Sequence, residues 1–119
     1  MDIVKESYSI DTSEPGFIHV TFVKLVASGV DMGGPMWFER ANLPWVVDTL
    51  RACIATYAFP ETSKTAGQDN LAVLESGHEQ QPFVKLRNRR PADAPHPGAF
   101  TISMSKPLAP QFVDELARL

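Results

Sequence analysis

Two short blocks recur in the same order along this 119-residue chain, and no other feature restricts its fold as much. Phe22-Val23-Lys24-Leu25 returns as Phe83-Val84-Lys85-Leu86. Pro44-Trp45-Val46-Val47-Asp48-Thr49-Leu50 returns as Pro110-Gln111-Phe112-Val113-Asp114-Glu115-Leu116, with Pro, Val, Asp and Leu in step. A glycine-containing loop and a short run of strand character separate the blocks each time. A repeat of this kind reads as one supersecondary unit used twice. The competing reading is two unrelated halves of one α+β domain, since four-residue matches of common types also arise by chance.

The local patterns define the unit. Residues 3–10 have short-strand character, and Asp11 to Gly16 supply a turn. Residues 17–27 are rich in β-branched and aromatic types and read as a strand. That strand is apolar on both faces: Ile18, Val20 and Phe22 on one, Val23, Leu25 and Ala27 on the other. Residues 28–35 read as a loop around Gly33-Gly34, and 36–40 as a third strand. A helix then starts at Asn42 and Pro44, with Val46 or Val47, Leu50, Ile54 and Tyr57 as its core-facing stripe, and Pro60 stops it. Residues 60–70 are polar throughout and read as an exposed linker. The second half runs strand 71–75, turn 76–82, strand 83–90, a proline-stiffened loop 91–98, and strand 100–105. In that last strand Phe100, Ile102 and Met104 alternate inward. Pro110 opens the closing helix, with Val113, Leu116 and either Phe112 or Leu119 on its buried side.

The fold expected is α+β, one compact domain over 1–119. It consists of two antiparallel βββα units, about 3–59 and 71–119, related by a pseudo-twofold, with the helices on one side of the sheets. A chain of this length supports one modest core. Its 44% apolar and 21% charged residues are those of a globular protein.

Several functions find no footing. One cysteine excludes an internal disulfide and a Cys-based zinc site, and fits a reducing, cytoplasmic setting. The amino terminus lacks the pattern of a signal peptide, and no apolar run is long enough to cross a bilayer. His19, His78 and His96 stand in separate contexts, without the spacing of a metal site. Cys53 lies beside the helix stripe and reads as a small buried hydrophobe, with no basic partner to activate it. No glycine-rich phosphate loop is present. The expectation is a non-enzymatic protein without cofactor or metal.

A strand–turn–strand–loop–strand–helix unit, with its middle strand written Phe83-Val84-Lys85-Leu86-Arg87 and its last strand entering a helix at Pro110, resembles known regulators. They are the single-stranded nucleic-acid-binding transcription regulators: Pur-type repeats, Whirly proteins and the general transcriptional positive cofactor. The likeness is strongest over 71–119. It implies curved antiparallel sheets, helices that form a dimer or pseudo-dimer element, and binding of single-stranded DNA or RNA. Those families usually carry four strands per unit, where the patterns here mark three.

Charge supplies the candidate site. The chain carries −3 overall, yet residues 83–106 hold Lys85, Arg87, Arg89, Arg90 and Lys106 against Asp93 alone. By alternation Val84 and Leu86 point inward, and Phe83, Lys85, Arg87 and Arg89 share the outer face. Lys85, Arg87, Arg89 and Arg90 would meet phosphate there, with Phe83 and Trp37 stacking on bases. The plainer reading is a solvated edge strand whose cations discourage aggregation. If Val23 and Leu25 match the inward Val84 and Leu86, then Ile18, Val20 and Phe22 face outward as a protein or homodimer interface. Trp45 reads as helix packing.

Overall fold

β2 is the strand on which the first half is assembled. In the computed structural model, which describes residues 3–32, 35–56, 58–78 and 81–119, β1 (Ile3–Asp11) and β2 (Phe17–Val26) form a long antiparallel hairpin. Two short strands, β3 (Gly29–Met32) and β4 (Met36–Glu39), share the other edge of β2. β3 lies opposite residues 23–26, and β4 opposite residues 17–20. A 3-10 turn at Arg40–Asn42 leads into α1 (Leu43–Ala55). The second half is a four-stranded antiparallel meander: β5 (Thr62–Ala66), β6 (Asp69–His78), β7 (Gln81–Arg90) and β8 (Gly98–Ser105). It is followed by α2 (Ala109–Ala117). The α+β class and the single compact domain hold, and four strands precede each helix.

Two expected loops contain strands. β5 occupies the stretch read as a linker, and β3 the stretch read as a loop. β5 is an edge strand of Ser, Thr and Lys with no apolar alternation to announce it, as suits an edge that must not recruit other chains. Gly33-Gly34 and Tyr57 lie outside the described residues, so neither the glycine loop nor the end of the helix stripe is described.

The parity of β2 is the reverse of that expected. Ile18, Val20, Phe22 and Lys24 are the buried row, while Leu25 is 42% exposed. Ile18, Val20 and Phe22 are therefore core, not an outward interface. The Phe-Val-Lys-Leu match spans 61 positions (22 to 83), an odd number, and so aligns opposite faces of two strands. The Pro-Val-Asp-Leu match spans 66 (44 to 110). At that even spacing the buried rows of β2, β4 and α1 fall on those of β7, β8 and α2, whereas the buried Leu71 and Val73 of β6 fall on Lys5 and Ser7 of β1, which are exposed. Ile18, Val20, Phe22 and Lys24 map onto Val84, Leu86, Asn88 and Arg90, and Met36 and Phe38 onto Ile102 and Met104. In the helices, Leu43, Val46, Val47 and Leu50 map onto Ala109, Phe112, Val113 and Leu116.

The helices cross over. α1 leaves the first sheet and packs against β6 and β7 of the second. Phe112 of α2 sits on the first sheet, edge-on to Phe22 at 4.9 Å and to Tyr8 at 5.2 Å between centroids. The two helices also pack on each other, so one continuous core joins both halves. Aromatic pairs in this geometry add to the area they bury.

Cys53 of α1 is fully buried in that core. Burial pushes its thiol up to about 11, with the Glu75 carboxylate adding to the shift and Lys106 opposing it. Native protein is therefore expected to resist iodoacetamide at pH 7.5, and to label fully only in denaturant, as read by mass spectrometry. Native labelling at the rate of a free thiol would refute this burial. The folded pKa is raised, so this contribution to stability is complete below the ordinary value of 9.0 and is lost as pH climbs towards 11.

Candidate functional site

The outer face of the second sheet is built from small and polar side chains around one cationic row. On β7, Val84, Leu86, Asn88 and Arg90 are buried; Arg87 and Arg89 are exposed, and Phe83 and Lys85 half-buried. Cross-strand register sets the neighbours. Arg87 lies between Ala72 and Thr101, Arg89 between Asn70 and Ala99, and Lys85 between Leu74 and Ser103. Ser63 of β5 extends the Arg87 row. A shallow groove of about 470 Å³ runs over this face, with Glu61, Ser63, Asn70, Arg87, Arg89 and Thr101 in its lining. Glu61 forms an ion pair with Arg87 in which both groups are about half exposed. Exposed pairs of this kind contribute little and exchange readily with another anion.

Arg90 does not belong to that row. Its guanidinium is buried and paired with Asp69, which is itself fully buried. Every acceptor position of Asp69 is used. Oδ1 accepts from Arg90 and from Asn88 Nδ2 (2.9 Å), and Oδ2 from Asn42 Nδ2 and the Glu39 backbone N–H (both 2.8 Å). Asn88 also donates from Nδ2 to the Trp37 carbonyl (2.8 Å) and accepts from the Asn70 N–H (3.0 Å). Arg90 Nε donates to the Pro95 carbonyl (2.9 Å), and the Gln68 N–H donates to Glu39 (2.7 Å). This network ties β4 and the start of α1 to β6, β7 and the 91–97 loop. It is the polar seam between the halves. Gly67 suits the turn beside it because its φ of +60° is a left-handed conformation that strains residues with a Cβ.

Trp37 is not an open stacking surface. His19 stacks on it at 4.0 Å between centroids and 5° between planes, and His96 at 3.6 Å and 0°. Two parallel imidazoles that close to one indole cannot lie side by side on the same face, so Trp37 is sandwiched. Phe17 meets the edges of both Trp37 and His96, and His96 Nε2 is in hydrogen-bond contact with the Glu14 carboxylate. Phe83 is engaged as well, with the Lys24 ammonium 4.7 Å from its ring centroid.

Of the residues picked from sequence, Lys85, Arg87 and Arg89 stand together on one face with Phe83 at its end. Arg90, Trp37, Ile18, Val20 and Phe22 are engaged elsewhere. The seam of Asp69, Asn88 and Asn42 and the histidine stack were not anticipated. Asn88 carried a signal, since it falls on the inward parity of β7 between Leu86 and Arg90, and a polar residue there needs buried partners. Among the described residues no group of three or more His, Cys, Asp or Glu side chains is placed to hold a metal ion, and no helix is long and apolar enough to cross a membrane.

No protein-family model matches the chain, and no curated protein matches its sequence significantly.

Proposed function

We propose that this protein is a non-catalytic binding protein that holds single-stranded nucleic acid along the outer face of the β5–β8 sheet. The observation that carries the reading is the row of Lys85, Arg87 and Arg89 on alternate residues of one strand, beside a polar groove. Alternate strand residues stand about 6.8 Å apart, an interval comparable to that between phosphates of an extended single strand. Ser63, Asn70, Thr101 and Ser103 offer hydrogen bonds to phosphate and sugar around the row. Four strands before each helix, and the buried rows of β2, β4 and α1 that recur 66 positions on in β7, β8 and α2, support a duplicated unit of the kind found in the single-stranded nucleic-acid-binding regulators that the sequence resembles. The pseudo-twofold relation and a role in transcription belong to this proposal.

Fluorescence anisotropy with a labelled oligo-dT tests it. Three phosphate contacts give a slope of log K against log salt of about −2, roughly a 20-fold loss of affinity from 50 to 200 mM. Arg87→Ala/Arg89→Ala should flatten the slope to about −0.7 and weaken binding at 50 mM. Absence of binding at 50 mM salt would sink the reading.

A second reading has one observation in its favour. Leu25 and Val30 pair across the β2–β3 hairpin and are 42% and 65% exposed. An exposed apolar pair on a hairpin suits a protein partner or a second copy of the chain. Sedimentation as a monomer at high concentration removes the second copy.

A further inference from the structure

We propose that the groove over the β5–β8 sheet recognises the sugar–phosphate backbone of a single strand and leaves its bases to solvent. The inference rests on the nucleic-acid reading above and names the part of the ligand that the site takes, which is the same at every nucleotide.

Strand register decides what a ligand on this face can touch. Ser63, Ala72, Arg87 and Thr101 form one row across the four strands, and Asn70, Arg89 and Ala99 form part of the next. Each arginine thus has an alanine beside it, and these short side chains leave room for the groove. Ser63, Asn70 and Thr101 around them are all exposed. The Thr65 hydroxyl donates to Asn70 Oδ1 at 3.3 Å, so the Nδ2 hydrogens are what Asn70 offers to a ligand. Lys85, beside Ser103, extends the cationic line along β7. Glu61 shows which chemistry the row accepts, for its carboxylate already sits on Arg87 within the groove. Cations and donors of this kind serve phosphate and sugar oxygens, which hold a strand in place without reading its sequence.

Recognition of bases by stacking needs an open ring, and the described residues place none in this groove. Phe100 is the one aromatic side chain among its described lining residues. It belongs to the inward row of β8, opposite Asn88, and packs against the core. Phe83 lies outside the lining, four residues from Arg87 and about 14 Å from it along the strand. The Lys24 ammonium lies over its ring. Trp37 belongs to the first sheet, where His19 and His96 cover it. A strand held on the row alone gains its affinity from counterion release, which depends on salt and not on base identity.

Anisotropy titrations at low salt compare a twelve-residue oligo-dT with an abasic oligomer of equal length, which keeps every phosphate and sugar. Their affinities should agree to within about threefold, because one base stacked on an aromatic ring would separate them by about fivefold or more. Arg87→Ala/Arg89→Ala should weaken both oligomers by the same factor, since it removes contacts that both share. A difference beyond about threefold in the natural protein, or a loss confined to oligo-dT in the double variant, shows that bases bear on binding and overturns the inference. The phosphate row would then still stand on the response of oligo-dT to salt and to the double variant. If neither oligomer binds, or the double variant binds both as before, both proposals fall.

Discussion

Asp69→Ala is expected to destabilise the fold by about 3–5 kcal/mol, because it strands a buried guanidinium without its counter-charge. Among the described residues Arg90 keeps only Glu39, at 3.5 Å, as a further carboxylate. Asn42 and Asn88 each lose the acceptor of an amide hydrogen, and the Glu39 N–H loses its acceptor too. A small domain is stable by about 5–15 kcal/mol in all, so the variant should unfold at a much lower urea concentration. Replacing Asp69 and Arg90 together with apolar residues should recover part of the loss, since the penalty lies in the uncompensated charge more than in the missing attraction. Urea melts of the three proteins measure both effects. A loss below about 1 kcal/mol for Asp69→Ala would mean that Asp69 and Arg90 are solvated and that the seam does not join the halves.

Phe22→Ala is expected to cost about 3–5 kcal/mol, the usual range for a large aromatic removed from a filled core. Phe22 is fully buried and touches both Tyr8 and Phe112, so its loss opens the contact between the first sheet and α2. Phe22→Asp should not fold. If Phe22 lay outward, as the first repeat block suggests, either change would stay within about 0.5 kcal/mol, as surface substitutions do. One denaturation experiment therefore separates the two parities of β2.

Most of the strands and both helices were legible in the sequence because alternation and helical periodicity are local signals. The clean alternation of Phe100, Ile102 and Met104 and the stripe through Val46, Val47 and Leu50 needed no tertiary knowledge. The parity of β2 was not legible, because Ile18, Val20 and Phe22 on one side and Val23 and Leu25 on the other are equally apolar. A four-residue identity was asked to decide it, and the odd spacing of that identity gave the wrong face. The spacing of the helix blocks agrees with the buried face of β2. β5 escaped notice because Thr62 to Ala66 has no apolar face. The cationic row was legible, since Val84 and Leu86 fix its orientation. Arg90 shares the inward parity of Val84 and Leu86, so alternation alone already separates it from Arg87 and Arg89; what sequence alone could not show is that its partner is Asp69, or that His19 and His96 close over Trp37. The Arg90–Asp69 and His19–Trp37 contacts each join strands within one half, and only His96 reaches Trp37 from the other half.

The most direct test of the central claim is to locate the ligand on the folded protein. Backbone amide shifts in a ¹⁵N-labelled sample, titrated with a short oligo-dT at low salt, give that footprint residue by residue. The expected result is a continuous set of perturbed amides on the outer face of the second sheet, at Ser63, Lys85, Arg87, Arg89, Thr101 and Ser103, that fades as salt is raised. Shifts confined to the Leu25–Val30 hairpin, or a spectrum that does not change at all, would contradict the assignment of this sheet as the binding face.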